Sequence, residues 1–182
     1  MQRYKALICD VDGTLIPLKR DGMPSEAVTA AVQQASKRIH VGVATSRPYH
    51  IIHHIVSHLH LHGPSIIHGG AQIVDLAERK VYREHPITKT EIQQIYSITK
   101  ALGHQVYADN PQDSYIVDDT STFDSPILGS VVLSLTPAQA DELSRELSTI
   151  PTISVHKIPS WKPGTIDVSM GATLATKQHG IE

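Results

Sequence analysis

Apolar residues first gather in a short unbroken run, Ala6-Leu7-Ile8-Cys9, which gives way to Asp10-Val11-Asp12-Gly13-Thr14. An apolar run closed by turn residues predicts a buried strand ending in a tight loop. Pro24 and Ser25 then precede Ala27, Val28, Ala31, Val32 and Ala35, whose helical spacing predicts a helix over 25–37. Ile39, Val41 and Val43 alternate as a second strand, which breaks at Ala44-Thr45-Ser46-Arg47-Pro48. A helix over 50–60 and a third strand over 65–67, closing at Gly69-Gly70, come next. Strand, helix, strand, helix, strand is the order of a parallel sheet with right-handed crossovers.

After Gly70 the pattern changes. Gln72–Asp75 and Val81–Arg83 flank a polar turn and predict a hairpin. Thr88 and Glu91 have capping-box spacing ahead of an amphipathic helix on Ile92, Ile95, Tyr96, Thr99 and Leu102. Short strands at 104–108 and 115–117 lead to another at 130–135. Thr136, Pro137 and Gln139 start a second capped helix, continued by Leu143 and Leu147. Strands at 153–156 and 165–168 complete a doubled helix-strand-strand pattern, which predicts an α+β module inserted into the parallel domain.

Composition narrows the classes. Lys and Arg number 16 against 18 Asp and Glu, a net charge of −2, with no basic patch or charge block to suit nucleic acid or a membrane surface. No apolar run is long enough to span a bilayer. Met1 to Lys5 is polar and leads straight into a strand, unlike a signal peptide. The single cysteine, Cys9, excludes an intramolecular disulfide, fits a reducing cytoplasm, and reads as a core filler beside Asp10.

The chemistry concentrates at Asp10 and Asp12. Two carboxylates two residues apart at a strand's carboxyl end project into the crevice where parallel sheets bind ligands. One can attack an electrophile while the other moves protons. Asp and Gly can also simply build a turn, but the full string Asp10-Val11-Asp12-Gly13-Thr14-Leu15 after a buried strand favours chemistry.

That string resembles the first motif of the haloacid dehalogenase (HAD) superfamily. The resemblance implies that Asp10 attacks phosphorus to form an aspartyl phosphate. It implies that Asp12 protonates the leaving oxygen and then activates water, and that magnesium is held by Asp10 and the backbone carbonyl of Asp12. Gly13 and Thr14 are expected beside the substrate. Thr45, at the end of the second strand, can hydrogen-bond a phosphoryl oxygen. Val41 to Pro48 is similar to the second motif as the Cof-type branch writes it, with Ser46 in place of the usual Gly and Arg47 expected near substrate. His68-Gly69-Gly70-Ala71 stands where that branch has Asn-Gly-Ala. The inserted module is similar to the branch's larger caps, which exclude water and choose the substrate. Lys177, in Ala175-Thr176-Lys177-Gln178-His179-Gly180-Ile181, resembles the third motif, whose Lys holds nucleophile and phosphate.

The fold expected is therefore α/β. It has a partial HAD (Rossmann-like) parallel three-layer core over 1–82 and 172–182, interrupted by an α+β cap over 83–171. The activity implied is magnesium-dependent hydrolysis of a small phosphomonoester, with a sugar phosphate among the candidates and phosphomutase or phosphotransferase chemistry as a sister option. The fourth motif, an acidic pair that completes the magnesium site, has no counterpart after Lys177. Asp118, Asp119 and Asp124 imitate it but precede the Lys. The expectation is a truncated or half enzyme, impaired alone, or a non-catalytic fragment whose first strand pairs with a second chain. His50, His54 and His58 share one helix face at metal-ligand spacing, but without carboxylate or Cys they read as a polar outer face.

Overall fold

The computed structural model describes residues 4–19, 21–119 and 121–181; Met1–Arg3 of the polar leader, Arg20, Thr120 and Glu182 lie outside them. Two compact units emerge, one from 1–84 with 176–182 and one from 85–175.

In the first unit, β1 (Ala6–Cys9) and β2 (His40–Val43) pair in parallel, from Ala6 opposite His40 to Cys9 opposite Val43. Between them runs α1 (Glu26–Ser36), whose N-cap Ser25 accepts the Val28 N–H. Helix α2 (Tyr49–Leu59) leads to β3 (Pro64–Ile67). The apolar stripes of both helices, Val32, Ile52, Ile55, Val56 and Leu59, bury against Val41, Val43 and Ile67. Cys9 packs at the margin of this cluster, where burial pushes its thiol pKa up.

The third strand departs from the purely parallel expectation. It meets β2 through a single parallel bridge, Ala44 to Ile66, and the Thr45 N–H donates to the Ile66 carbonyl at 2.9 Å. Its ladder partner is β4 (Gln72–Asp75), antiparallel, followed by β5 (Lys80–Glu84). The cause is the turn His68–Gly70, where φ is positive at all three residues (49°, 70° and 118°) and the chain reverses at once. A last helix, α5 (Lys177–Ile181), completes the unit. Neighbouring strand residues face opposite ways, so Ile67 turns to the α1/α2 side. Ile66 turns to the other, where a Cβ on Gly180 of α5 would stand 2.9 Å from its Cδ1. Helices thus lie on both sides of β3. Among the described residues β2 is the only ladder partner of β1, and Leu7 on β1 is exposed.

The second unit is a five-stranded antiparallel sheet packed against two helices. Its elements are α3 (Lys89–Ala101), β6 (Tyr107–Asp109), β7 (Ser114–Ile116), β8 (Gly129–Leu135), α4 (Pro137–Leu147), β9 (Ile153–Pro159) and β10 (Ile166–Ala172). The order β7-β6-β8-β10-β9 places one hairpin on each side of β8, so the doubled sequence pattern becomes a doubled structure. Both expected capping boxes form, at Thr88 with Glu91 and at Thr136 with Gln139. Ile92, Ile95, Leu143 and Leu147 are sealed from solvent against Val132, Val168 and Met170.

The unit boundaries differ slightly from the expected 82/83 and 171/172. The ladder of β5 with β4 carries the first unit to Glu84, and β10 stays paired with β9 to Ala172, which leaves Thr176 as the first residue of the returning segment. Among the described residues no helix is long and apolar enough to cross a membrane.

Candidate active site

Asp10 follows the last residue of β1, and the loop after it is folded by its own backbone. The Val11 carbonyl accepts the N–H groups of Thr14, Leu15 and Ile16, and the Gly13 N–H returns to the Ile16 carbonyl at 2.9 Å. Val11, Leu15 and Ile16 are buried in the helix-covered core and anchor the loop. Gly13 takes φ +74°, a left-handed conformation that suits glycine. Gly13 and Thr14 are exposed, and Asp12 is partly exposed.

The two carboxylates have different cationic partners. Lys177 Nζ donates to Asp10 Oδ1 at 2.5 Å, joining residues 167 positions apart in sequence. Asp12 takes a two-pronged guanidinium: Arg47 Nε to Oδ2 at 2.9 Å and Nη2 to Oδ1 at 2.7 Å. Such fork-to-fork pairs fix orientation as well as charge. Arg47 is only 7% exposed, and its Nη2 also donates to the Lys19 carbonyl at 3.3 Å. Arg47, which the resemblance places near substrate, pairs with Asp12 in this geometry. Thr45 is buried, and its hydroxyl oxygen accepts the Arg47 N–H at 3.1 Å, while Ser46 beside it is exposed. Lys177 with Asp10 and Arg47 with Asp12 thus make two ion pairs just past the ends of β1 and β2, and the Thr45 hydroxyl holds the Arg47 backbone.

The turn after β3 ties these pieces together, a role that lies outside the sequence motifs. The His68 N–H donates to the Arg47 carbonyl at 3.2 Å and the Gly69 N–H to the Thr45 carbonyl at 3.0 Å. The glycine doublet was the available signal. His68 is buried, and neither ring nitrogen has a hydrogen-bond partner among the described residues. Burial, and secondarily the neighbouring His50, lowers its pKa from 6.5 to about 4. The native ring therefore stays neutral until about pH 4, while an unfolded chain takes up the proton at 6.5. Its contribution to stability is full above pH 6.5 and drains away as the pH falls toward 4, by about 3 kcal/mol in all. Urea unfolding at pH 7.5 and pH 5 should show this loss, and His68→Asn, which tolerates the positive φ, should flatten it. An unchanged pH dependence in that variant would contradict the assignment.

The other candidates have partners elsewhere. Asp119 is held by Lys100 at 2.6 Å, Asp124 accepts the Thr122 hydroxyl at 3.1 Å and Asp118 the Ser121 hydroxyl at 3.2 Å, all within the second unit. On α2, His58 pairs with the Thr29 hydroxyl at 3.2 Å. The pKa of His54 is lowered, first by partial burial, then by His53 and Arg47. Among the described residues no group of three or more His, Cys, Asp or Glu converges to hold a metal.

A strand-end Asp-x-Asp loop, a buried Thr just past the next strand and a distant Lys returning to the first Asp define a class. The family model of haloacid dehalogenase-like hydrolases matches residues 7–163, and the chain belongs to that family, in its Cof-type branch. Its fold is that of several solved structures. A haloacid dehalogenase-like hydrolase from Bacteroides thetaiotaomicron superposes with a TM-score of 0.79 at 14% identity, covering 98% of this chain and 75% of that one. A HAD phosphatase from the same organism gives 0.79 at 16% identity, covering 97% and 70%. A HAD subclass IIB sugar phosphatase gives 0.73 at 18%, covering 98% and 74%. No curated protein sequence is significantly similar to the chain.

Proposed function

We propose that the protein is a phosphatase that hydrolyses a small phosphomonoester, a sugar phosphate being the leading class, by way of an aspartyl phosphate on Asp10. The observation that carries this reading is the contact of Lys177 with Asp10, which brings a cation from the far end of the sequence to a partly exposed carboxylate. In the first step an Asp10 oxygen forms a bond to phosphorus while the ester P–O bond breaks, and Asp12, in its carboxylic acid form, delivers its proton to the leaving oxygen and becomes the carboxylate. In the second, Asp12 takes a proton from water, whose oxygen attacks phosphorus and frees Asp10 as phosphate departs. Lys177 orients Asp10 and offsets phosphate charge, the Thr45 hydroxyl and the exposed Ser46, Gly13 and Thr14 meet the phosphoryl oxygens, and Arg47 aims Asp12.

Members of this superfamily generally use magnesium. The donors fit in kind, since Asp10 and Asp12 offer the hard oxygens that magnesium takes. They would hold the ion, which when bound neutralises the phosphate oxygens. Among the described residues few carboxylates gather here and one edge of β1 has no ladder partner, which supports a second proposal: a strand from a second chain, bearing acidic residues, adds to β1 and completes the site. The lone, unactivated Cys9 suits a reducing cytoplasm.

Phosphate release from an aryl phosphate and a panel of sugar phosphates, with magnesium, tests the reading. Arg47→Lys refines it, because Lys keeps the charge but loses the fork. Its turnover should fall about tenfold or more with little change in melting temperature. Unchanged turnover would remove Arg47 from the mechanism.

A further inference from the structure

The residues that would act on phosphate sit on segments far apart in sequence, and the contact that registers them is the turn His68–Gly70. On one side its backbone grips the β2 loop, through the His68 and Gly69 N–H groups on the Arg47 and Thr45 carbonyls. On the other side it meets the segment that carries Lys177. Gly70 has φ +118°, and a Cβ there would overlap the carbonyl carbon and oxygen of Thr176 and lie 2.6 Å from its nitrogen. Thr176 immediately precedes Lys177. Its own geometry is fixed from below: the Thr176 hydroxyl oxygen bonds His179 Nδ1 at 2.7 Å and accepts the His179 N–H at 3.2 Å, and Arg83 of β5 donates to the His179 carbonyl. Gly180 completes the close approach, since a Cβ there would stand 2.9–3.0 Å from three carbons of Ile66. Helix α5 has no buried residue of its own and only five residues, so its own packing cannot hold it.

We propose that Gly70 is a positioning residue for Lys177. The missing side chain lets the Thr176 backbone sit directly on the turn, and the same turn fixes Thr45 and Arg47, so the two halves of the site are set against one another by one three-residue element. Gly180 has the same role at the second contact of α5. The kinetic consequence rests on the phosphatase reading above, whereas the positional consequence rests on the contacts alone.

Gly70→Ala must push the 176–181 segment away, because the obstacle is backbone and cannot rotate aside. A displacement of roughly an ångström at a catalytic group costs about a hundredfold in rate. Gly70→Ala is therefore expected to lower kcat by about that factor with a smaller change in KM. In a Lys177→Ala background the same substitution should change kcat less than about twofold, since the group it displaces is already gone. Gly103→Ala is the control for backbone strain. Gly103 also has positive φ, at +73°, but a Cβ there meets nothing within 4 Å, so kcat should be unaltered. If Gly70→Ala fails to fold, Gly180→Ala gives a milder version, because the Ile66 side chain can yield. Equal losses from the substitution with and without Lys177 would overturn the proposal. Crystal structures of wild type and variant separate this result from failure of the phosphatase reading. Should wild type turn over no phosphate ester, the proposal stands or falls on the Lys177–Asp10 contact. It is predicted to be lost in Gly70→Ala, and its retention at the wild-type distance would refute the positioning role.

Discussion

Asp10→Asn is expected to abolish turnover of phosphomonoesters, by about a thousandfold or more. The amide is nearly the same size, so the β1 loop, which is folded by the Val11 carbonyl and anchored by Val11, Leu15 and Ile16, should keep its shape. What is lost is the nucleophile: an amide oxygen carries no charge to drive bond formation to phosphorus. Lys177 then faces a neutral partner instead of a carboxylate, and the effect on stability should be small because that ion pair is solvent-exposed. Steady-state phosphate release beside a melting curve separates the two effects. More than about a tenth of wild-type activity in a well-folded Asp10→Asn protein would sink the nucleophile assignment.

The second large effect concerns magnesium. Asp10 and Asp12 are the carboxylates at the strand ends, Asp12 is held on both oxygens by Arg47, and no third His, Cys, Asp or Glu joins them among the described residues. Magnesium gives up its waters reluctantly and needs carboxylates together with substrate phosphate. The 182-residue polypeptide should therefore bind it only in the millimolar range, as an order of magnitude, and turn over slowly. Adding a polypeptide that pairs with β1 and carries an acidic pair should raise affinity and turnover together. Calorimetry and phosphate release, with and without that polypeptide, read both. Micromolar affinity in the polypeptide alone would show that another group completes the site.

Local order was legible in the sequence because it depends on short-range rules. The strand before Asp10, the alternation at Val41 and Val43, both capping boxes and the doubled pattern of the second unit are periodicity and cap chemistry, and each formed. But the strand before Asp10, expected to be buried, is exposed at Ala6 and Leu7 and half-buried at Ile8 and Cys9, because β2 is its only ladder partner among the described residues. The antiparallel ladder of β3 with β4 was not foreseen, because it depends on three successive positive φ angles, one of them at a histidine. No propensity scale gives that. At the site, residue identities were readable but pairings were not. Arg47 looks the same in sequence whether it reaches for substrate or for Asp12, and only the fold sets its guanidinium on that carboxylate. Gly70 and Gly180 carry no chemistry of their own, so their value shows only where another backbone or side chain occupies the space a Cβ would take.

The central claim, an aspartyl phosphate on Asp10, is tested most directly by finding the phosphoryl group itself. Wild type and Asp10→Asn would be mixed with an aryl phosphate and magnesium, quenched in acid within the first turnover, trapped by reduction, and mapped by peptide mass spectrometry. A modified Asp10 in wild type and an unlabelled peptide in the variant is the predicted result. Phosphate release with no label on Asp10, label on another residue, or neither label nor release across the ester panel would contradict it.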